Sequence, residues 1–448
     1  MSNRRYKINR RKFIGGTIGA SSLMALSPTN LLHAGSGPWS VRPSSNVDRV
    51  SFVVWAYGKI YTQIAEQFEA DWGVPVEANI SPNRQHETKL TTMYGAGDII
   101  DVAMTKSQFF ASHIAQGLVE PIDNLPGAKD YINNLTNSSR ALLQSDGKTW
   151  GLPYFSAIWG WNYNEIMMDK AGLSPFTSLE ELVEQSVKVK RDGLAKYPLI
   201  WVANATNFQG TWFSLVWNNG GVVFDKHGDH HLGPGSVARE TLRWWGDGFT
   251  KWNIADPVSM KNSTGKTSKA FGAGTNLYFG GGGHYSLNQV NNRDYPISGH
   301  MRLHNWPNPN RILGNEGLYY LSSANRDIEW AWKMLQYLGG RTKDGEYTQA
   351  IKLATTTMLG SGYTSVNNSP TVRKTWSKWA DVELLLKMWD KATYVGEVAP
   401  VFKEPWYAVW NKQMVIEAHK CANGQITADQ ACDNMIASID KAKRSVSE

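Results

Sequence analysis

The stretch that decides the fold is residues 147–173, GKTWGLPYFSAIWGWNYNEIMMDKAGL. It begins with a polar turn, continues over residues 152–162 as an apolar, aromatic and β-branched strand, and changes after Asn164 to a short helix ending at Gly172. The strand is rich in aromatic residues: Tyr154, Phe155, Trp159, Trp161 and Tyr163. Because tyrosine and tryptophan have polar atoms that need partners, a strand that crosses between two lobes and lines a cleft accounts for this composition. A buried strand of one large domain accounts for it equally well from composition alone.

The size and composition of the chain indicate a globular protein. Its 448 residues are 42% hydrophobic and 12% aromatic, which is enough for two lobes of ordinary size. The formal net charge of +7 would suggest a nucleic-acid partner, but six basic residues lie in the first twelve positions and no acidic residue precedes Asp48. Subtracting those six charges leaves +1 for the rest of the chain, so the charge pattern does not favour nucleic-acid binding.

The basic start belongs to a leader that resembles a twin-arginine export signal. Arg10, Arg11 and Phe13 stand at positions typical of that signal, and the apolar run over residues 13–26 is too short to span a bilayer. We therefore predict a twin-arginine-type signal peptide over residues 1–34. No cysteine follows the apolar run directly, and no later segment has eighteen consecutive apolar residues. We expect an exported, soluble protein located in the periplasm.

The two cysteines, Cys421 and Cys432, lie close together in sequence near the C-terminus. Between them, an Asn-Gly pair at residues 423–424 is typical of a helix end, and Thr427 with Gln430 predicts a capping box that begins the next helix. So short a turn could bring the thiols within bridging distance in an oxidising compartment. We expect a structural disulfide, with two free thiols as the alternative.

From Val50 onward the sequence alternates between strand and helix patterns. Strands are predicted at VSFVVWA, VPVEANI and IIDVAM, each followed by a helix, as far as Gln116. Such βαβ units predict a mostly parallel sheet in which ligands bind beyond the carboxyl ends of the strands. The candidate site residues at these ends are Trp55, Tyr57, Lys106, Ser107 and Gln108.

The alternation restarts after the aromatic strand, which suggests a second lobe. A capping box at Ser178 and Glu181 begins a helix, LIWVA is a strand, and a polar linker, SMKNSTGKTSK, precedes a strand ending in four glycines at residues 280–283. The glycines would let backbone amides approach a ligand or allow a tight turn into the next helix. Residues 300–310, HMRLHNWPNPN, suggest a second crossing between lobes, and the chain beyond Thr375 is predicted to be helical.

Motifs of enzymes and metal sites are mostly absent from the sequence. The two GKT tripeptides lack the first glycine of a phosphate loop, no G-x-S-x-G sequence occurs, and the four glycines do not complete G-x-G-x-x-G. His227, His230 and His231 form a cluster, but the residues around them are typical of an exposed turn. Asp98 and Asp101 fit a helix end and a strand start at least as well as paired catalytic carboxylates. We predict no catalytic residue, no cofactor and no metal site.

The feature that remains is the abundance of aromatic residues: 20 Trp, 18 Tyr and 14 Phe. Many lie beside Gly, Pro or Asn rather than in apolar runs. Aromatic faces pack on the C–H faces of sugar rings while nearby amides and hydroxyls bind the sugar hydroxyls, so we infer a polyhydroxylated ligand. The same rings could instead enclose a quaternary ammonium group.

Three stretches in the same order make the chain similar to family 1 extracellular solute-binding proteins, the maltose-binding-protein-like sugar receptors of ABC importers. Residues 97–123 end in GLVEPID, which resembles a stretch of that family. Residues 148–173 resemble its Gly-Leu-Pro crossing followed by Tyr-Asn and Ala-Gly-Leu, and residues 406–439 resemble its C-terminal helices with their Gly-Gln-x-Thr turn. The resemblance covers nearly the whole chain after the leader.

The resemblance implies ligand contacts at matching positions. Trp406 and Tyr407 match a pair that stacks on sugar in the maltose receptor, and Trp55 matches the tryptophan of its first strand. Ser107 and Gln108 replace a charged pair of that receptor, so the resemblance does not imply maltose itself. The complete set of predicted ligand contacts is Trp55, Tyr57, Ser107, Gln108, Tyr154, Trp159, Trp161, Trp212, Gly283, His284, Trp306, Glu316, Trp406 and Tyr407.

We predict a periplasmic-binding-protein-like α/β fold with two discontinuous lobes and a hinged cleft. The N-terminal lobe comprises residues 48–153 and 307–362, and the C-terminal lobe comprises residues 157–302 and 370–448. The chain crosses between them at residues 154–156, 302–306 and 360–369. A sugar or oligosaccharide would close the cleft, and the closed monomer would dock on permease subunits at the membrane. The alternatives are a receptor for a polyol, phosphorylated polyol, betaine or polyamine, and a secreted carbohydrate-active enzyme.

Overall fold

The aromatic stretch forms one long strand, Leu152–Asn164, in a computed structural model that describes residues 37–304 and 311–445. Only Phe155 and Tyr163 in this strand are partly exposed, and its other residues are buried. The helix Glu165–Ala171 follows, and Gly172 ends it in a left-handed conformation. The predicted change from strand to helix is therefore confirmed. The predicted signal peptide lies outside the described residues.

Twelve strands occur within the described residues. In chain order they are β1 (Val50–Trp55), β2 (Val76–Ser81), β3 (Val102–Lys106), β4 (Val119–Glu120), β5 (Gln144–Ser145), β6 (Lys148–Thr149), β7 (Leu152–Asn164), β8 (Leu199–Trp201), β9 (Tyr278–Gly283), β10 (Met301–His304), β11 (Ile312–Ser322) and β12 (Ala392–Thr393). All except β5 and β6 belong to one sheet.

The α-helices of the same part of the chain are, in order, α1 (Ile60–Trp72), α2 (His86–Ala96), α3 (Ser107–Ala115), α4 (Ala128–Asn134), α5 (Asn137–Leu143), α6 (Glu165–Ala171), α7 (Leu179–Arg191), α8 (Phe208–Asn218), α9 (Val237–Thr250), α10 (Thr264–Gly272), α11 (Ser286–Asn291), α12 (Ile328–Gly339), α13 (Thr348–Thr357), α14 (Thr364–Asn367), α15 (Pro370–Trp376), α16 (Val382–Asp390), α17 (Val395–Val398), α18 (Pro405–Ala422) and α19 (Ala428–Ser445). In this part of the chain, none of the helices combines the length and the apolar character needed to cross a bilayer.

The first three strand–helix pairs agree with the predicted βαβ pattern. β1 runs parallel to both β2 and β3. α1 buries the predicted face of Ile60, Ile64 and Phe68, and it ends at Gly73, whose left-handed conformation favours glycine. Because the three strands are parallel, their carboxyl ends lie at the same edge of the sheet.

The complete sheet is mixed, whereas the sequence predicts a mostly parallel one. Its strand order is β2-β1-β3-β11-β7-β9-β8. β11 is antiparallel to both β3 and β7, and β9 is antiparallel to β7 but parallel to β8. The sheet is mixed because β7 and β11, which are antiparallel to each other, lie between the parallel strands β1, β2 and β3 on one side and the parallel pair β8 and β9 on the other.

The strand β7 changes partners along its length. Its first part pairs with β11 over residues 152–158, and its second part pairs with β9 and β10 over residues 159–164. Ser156, within the first predicted crossing, exchanges two backbone hydrogen bonds of 2.8 Å with Gly360, at the third. The second predicted crossing ends at Trp306, outside the described residues. The boundaries of the two lobes stay a prediction.

The glycines of β9 have a role that the sequence does not indicate. A Cβ atom at Gly280 would lie 2.5 Å from the ring of Trp201 and 2.6 Å from that of Trp161. These indoles pack against each other with centroids 4.8 Å apart, and both are fully buried. Because rigid rings fill the space beside the backbone, only glycine fits at position 280 without displacing them.

The segment predicted to be a polar linker contains α10. Ser263 precedes this helix, and Thr267, Ser268 and Phe271 form its buried face. The linker prediction is wrong because Phe271 is the only large apolar residue on that face, so the usual helical pattern of apolar residues is missing.

The C-terminal helices α18 and α19 meet at the predicted capping box. Thr427 N donates to Gln430 Oε1 at 2.9 Å, and Gln430 N donates to Thr427 Oγ1 at 3.1 Å. Cys421 and Cys432 are buried free thiols in the structure, so the expected disulfide is not formed. Burial raises the pKa of Cys421 to about 11 and that of Cys432 to about 12, which keeps both thiols protonated and unreactive.

Candidate ligand-binding cleft

A cavity of about 450 Å³ lies at the carboxyl ends of the parallel strands. One wall follows β1, β2 and β3, and the other follows β8 and β9, with β7 and β11 between them. The volume is within the range of small-molecule sites. The position is the one that parallel strands in α/β proteins provide for ligands, because the loops and helix N-termini that follow the strands converge there.

The first wall has an aromatic surface. Trp55 ends β1, Tyr57 follows it, and Tyr154 extends from β7 beside them. The ring of Trp55 meets that of Tyr154 edge to face with centroids 5.6 Å apart, and that of His86 at 5.3 Å. Because packing already fixes the Trp55 ring, a ligand that stacks on it would not have to order it first.

The same wall contains Lys106, which is the one formally charged residue among the described side chains that line the cavity. Its Nζ atom donates to Asn83 Oδ1 at 3.0 Å and lies 5.7 Å from the ring centroid of Trp55. Burial lowers the pKa of Lys106, and the negative charge of Glu87 opposes this effect. Glu87 does not line the cavity, and burial raises its own pKa to about 7.

The second wall supplies amide and hydroxyl groups. Asn204 and Asn207 lie between β8 and α8, and the Nδ2 atom of Asn207 donates to Asn204 Oδ1 at 2.7 Å. Ser263 and Thr264, at the start of α10, and Gln289, in α11, also line the cavity. None of these residues is among the ligand contacts predicted from the sequence. The asparagines follow β8 as Ser107 follows β3, so the rule that identified Ser107 also applies to them.

Trp159 lies between the two walls on β7. A Cβ atom at Gly210, near the start of α8, would be 2.9 Å from its ring, so the indole packs directly on the helix backbone. Only 7% of Trp159 is exposed, and it lines the cavity. This residue therefore offers a fixed aromatic surface at the middle of the cleft.

The structure brings five of the fourteen predicted ligand contacts together in the lining of the cavity. They are Trp55, Tyr57, Ser107, Tyr154 and Trp159. As ligand contacts they stay predictions. Trp306 and the side chain of Gln108 lie outside what the structure describes. The other seven are in the described part of the chain but do not line the cavity.

Trp161 and Trp212 lie in the hydrophobic core. Trp161 is fully buried and packs edge to face on Phe176 at 5.4 Å. Trp212 is also fully buried, and its Nε1 atom donates to the carbonyl of Ala238 at 3.2 Å. Strict alternation would place Trp159 and Trp161 on the same face of β7, but the bulge between Gly160 and Trp161 breaks the alternation and turns Trp161 toward the core.

Gly283 and His284 support β7 from behind rather than facing the cavity. Gly283 is in register with Trp159, and the buried ring of His284 packs edge to face on Trp389 at 4.8 Å. The Nε2 atom of His284 lies 2.5 Å from the carbonyl oxygen of Met358. Burial lowers the pKa of His284 to about 4, so this histidine is neutral at physiological pH.

Glu316 is fully buried in β11, opposite Ser156 of β7. Its Oε1 atom accepts a hydrogen bond from Ser139 Oγ at 2.7 Å. Burial raises the pKa of Glu316 to about 7. The residue is thus part of the junction between the long strands rather than part of the cavity lining.

Trp406 and Tyr407 begin α18, as predicted, but belong to a separate aromatic cluster. Both rings meet Phe224 edge to face, at 6.0 Å and 6.3 Å, and Tyr407 also packs on Phe402 at 4.6 Å. Phe224 comes from the segment that precedes α9 and covers this end of α18. The pair is therefore buried by protein groups, which the match of motifs alone could not indicate.

No group of three or more His, Cys, Asp or Glu side chains in residues 37–304 and 311–445 is arranged to hold a metal ion. Within the histidine cluster, His231 Nε2 instead lies 3.0 Å from Asp225 Oδ2. Asp225 Oδ1 also accepts hydrogen bonds from the backbone of His227 and Asp229, which is typical of the turn predicted there.

A sequence profile described as bacterial extracellular solute-binding protein matches residues 55–342. The chain belongs to this family. Proteins of Brucella abortus (strain 2308) and Brucella suis biovar 1 (strain 1330), whose names go no further than binding protein, are each 23% identical over 239 residues. These matches cover 52% of this chain and 54% of the relative, so the chain spans about half the length of the curated relatives it matches.

Solved structures with the same fold cover most of the chain. MalE3 of T. maritima with bound maltose has a TM-score of 0.74 at 17% identity, covering 88% of this chain and 99% of that one. The GacH receptor of Streptomyces glaucescens, studied with acarbose, has a TM-score of 0.73 at 17% identity and coverages of 88% and 98%. An Agrobacterium vitis solute-binding protein with bound D-mannitol has a TM-score of 0.72 at 16% identity, covering 89% of this chain and 99% of that one. The predicted periplasmic-binding-protein-like fold is confirmed.

Proposed function

We propose that this solute-binding protein captures a sugar or a related polyhydroxylated solute in the cleft and delivers it to the permease subunits of an ABC importer. The composition of the cavity is the observation that carries the proposal. Aromatic rings of Trp55, Tyr57 and Trp159 line it together with amides and hydroxyls of the opposite wall, the combination that binds both faces and edges of a sugar ring. The ligands named for three structures of the same fold, maltose, acarbose and D-mannitol, are polyhydroxylated.

Capture proceeds by closure of two lobes about the junction at β7. The changing partners of β7 support this mechanism, because one wall of the cavity follows the strands on its β11 side and the other follows those on its β9 side. A solute that contacts both walls binds the closed form more tightly than the open form. It therefore shifts the population toward the closed form, which is the one that docks on the permease.

The proposed setting is the periplasm, reached through the twin-arginine leader at residues 1–34. The family is extracellular, which supports export. Each molecule acts as a monomer, because both walls of the cavity come from one chain.

Replacing Trp159 by alanine is expected to weaken solute binding about tenfold or more, because it removes a fixed ring at the middle of the cleft. The solute is first found by a thermal-shift screen of sugars, sugar acids and polyols, since a bound ligand raises the melting temperature. Calorimetric titration then compares the variant with the wild type. Trp150→Ala is the matched control, because Trp150 does not line the cavity. Equal affinities of Trp159→Ala and the wild type would remove Trp159 from the site.

Small-angle scattering is expected to show a smaller radius of gyration when the solute found in that screen is saturating. The reason is that closure brings the two lobes together around the ligand. The same sample, recovered and analysed by chromatography, should return the solute unchanged. An unaltered radius would contradict hinge closure, and conversion of the solute to products would support a carbohydrate-active enzyme instead.

A further inference from the structure

We propose that the solute carries an anionic group, a carboxylate or a phosphate, and that Lys106 binds this group at the first wall of the cleft. This inference rests on the proposed function and specifies the chemical class of its ligand. The ligand is accordingly an acidic or phosphorylated sugar or polyol. Its ring or carbon chain lies against the aromatic residues, and its anionic group lies between Lys106 and the helices that begin at the cavity.

The charge of the cavity is the first observation behind this inference. Among the described lining residues, Lys106 carries the only formal charge, and the others have amide, hydroxyl, aromatic, aliphatic or no side chains. No carboxylate from these residues faces Lys106. A positively charged solute such as a polyamine would meet repulsion without a counter-charge, whereas an anion would be matched.

The environment of Lys106 is the second observation. An ammonium group has three donors, and the hydrogen bond to Asn83 Oδ1 uses one of them. Within the described side chains, no carboxylate lies within 4.0 Å of the Nζ atom. Glu87, whose charge acts on Lys106, accepts from Thr105 Oγ1 at 2.9 Å and lies 3.7 Å from His113 Nε2. A partly buried ammonium without an ion-pair partner is costly, and a ligand anion would supply the partner.

The helices around the cavity are the third observation. α3, α8 and α10 all begin there, and their N-cap residues, Lys106, Asn207 and Ser263, line the cavity. Asn207 and Ser263 could each accept a hydrogen bond from the helix that it precedes, but neither does. The first N–H groups of the three helices therefore add positive potential to that of Lys106 and suit anionic oxygen atoms.

Calorimetric titration with matched pairs of solutes tests the proposal. The pairs are D-glucuronate with D-glucose, D-galacturonate with D-galactose, and glycerol 3-phosphate with glycerol. In at least one pair the acidic member is expected to bind the wild-type protein about tenfold or more tightly than its neutral partner, because charge-assisted hydrogen bonds are the stronger ones. Which pair responds distinguishes a carboxylate from a phosphate.

Variants of Lys106 then connect the preference to this side chain. Lys106→Met is expected to abolish the tenfold preference for the acidic member of the pair, whereas Lys106→Arg retains most of the preference. Lys148→Met is the matched control, because Lys148 also lies over a tryptophan, 5.5 Å from the ring centroid of Trp150, but outside the cavity. Circular dichroism of each variant verifies that the fold is retained.

The outcomes separate this inference from the proposed function. If neutral solutes bind as tightly as their acidic partners, or if Lys106→Met leaves binding of the acid unaltered, the inference is overturned while the proposed function stands. If none of the six solutes and no member of the thermal-shift panel binds, the inference and the proposed function are both overturned. Weaker binding of the acid, but not of the neutral solute, at higher ionic strength would support the inference further.

Discussion

Replacing Glu316 by glutamine is expected to stabilise the protein by about 3 kcal/mol near pH 8 and to have little effect near pH 4. Glu316 is fully buried between β11 and β7, and the hydrogen bond that it accepts from Ser139 comes from a neutral group. Burial raises its pKa to about 7 from an ordinary value of 4.5. Glutamine has nearly the same shape and cannot ionise, so it avoids the cost of a buried charge.

The sign of this stability change follows from the number of protons that Glu316 binds in the native and in the unfolded protein. Between about pH 4.5 and pH 7 the native protein holds a proton on Glu316 that the unfolded chain has released. The free energy of unfolding therefore falls as pH rises through this interval, and above it the full cost is present. The stabilisation conferred by Glu316→Gln should grow over the same interval.

Urea unfolding of the wild type and of Glu316→Gln at a series of pH values measures this difference. The test uses the difference between the two proteins, because Glu87 also has a pKa of about 7 and contributes equally to both. Glu66→Gln, at an exposed position of α1, is the control and should follow the wild type at every pH. A constant difference between Glu316→Gln and the wild type would show that the pKa of Glu316 is not raised in the native protein.

Replacing Gly280 by alanine is expected to destabilise the protein by about 3 kcal/mol. The added Cβ atom would lie 2.5 Å from Trp201 and 2.6 Å from Trp161, far inside van der Waals contact. Neither indole can move freely, because both are fully buried and Trp161 also packs on Phe176. The strain must therefore be shared between β9 and the two rings.

Denaturant unfolding of Gly280→Ala and of Gly233→Ala provides the comparison. Gly233 has open space where a Cβ atom would be, so its replacement should change the free energy of unfolding by well under 1 kcal/mol. The fluorescence of the buried tryptophans should also change in Gly280→Ala at low denaturant. Equal stability of the two variants would mean that the indoles do not pack against Gly280 as described.

Features determined by neighbouring residues could be predicted from the sequence. The period of Ile60, Ile64 and Phe68 identified α1, and the capping boxes at Ser178 and Thr427 identified the starts of two more helices. In each case the residues that determine the structure lie within a few positions of one another. The position of β11 between β3 and β7 could not be predicted in this way, since it depends on pairing between segments far apart in the chain.

The same distinction applies to the cleft. Trp55, Tyr57 and Ser107 could be found because they follow strands that the sequence shows clearly. Asn204 could have been found by the same rule, whereas Ser263 could not, because the polar composition of its segment is typical of a linker. Motif similarity suggested Trp406, but its surroundings depend on Phe224, a residue with no counterpart in the motif. Whether an aromatic ring lines a cavity therefore depends on whether a distant part of the chain packs over it.

The place of β11 in the sheet also limits the order in which the chain can fold. A nascent chain that has left the ribosome only as far as β10 contains β3 and β7 but not the strand that must lie between them. Until β11 has been synthesised, the edges of β3 and β7 that it joins stay unpaired and are exposed to association with other chains. We expect the centre of the sheet to close only after β11 has been synthesised, and to do so slowly, because its contacts join distant segments.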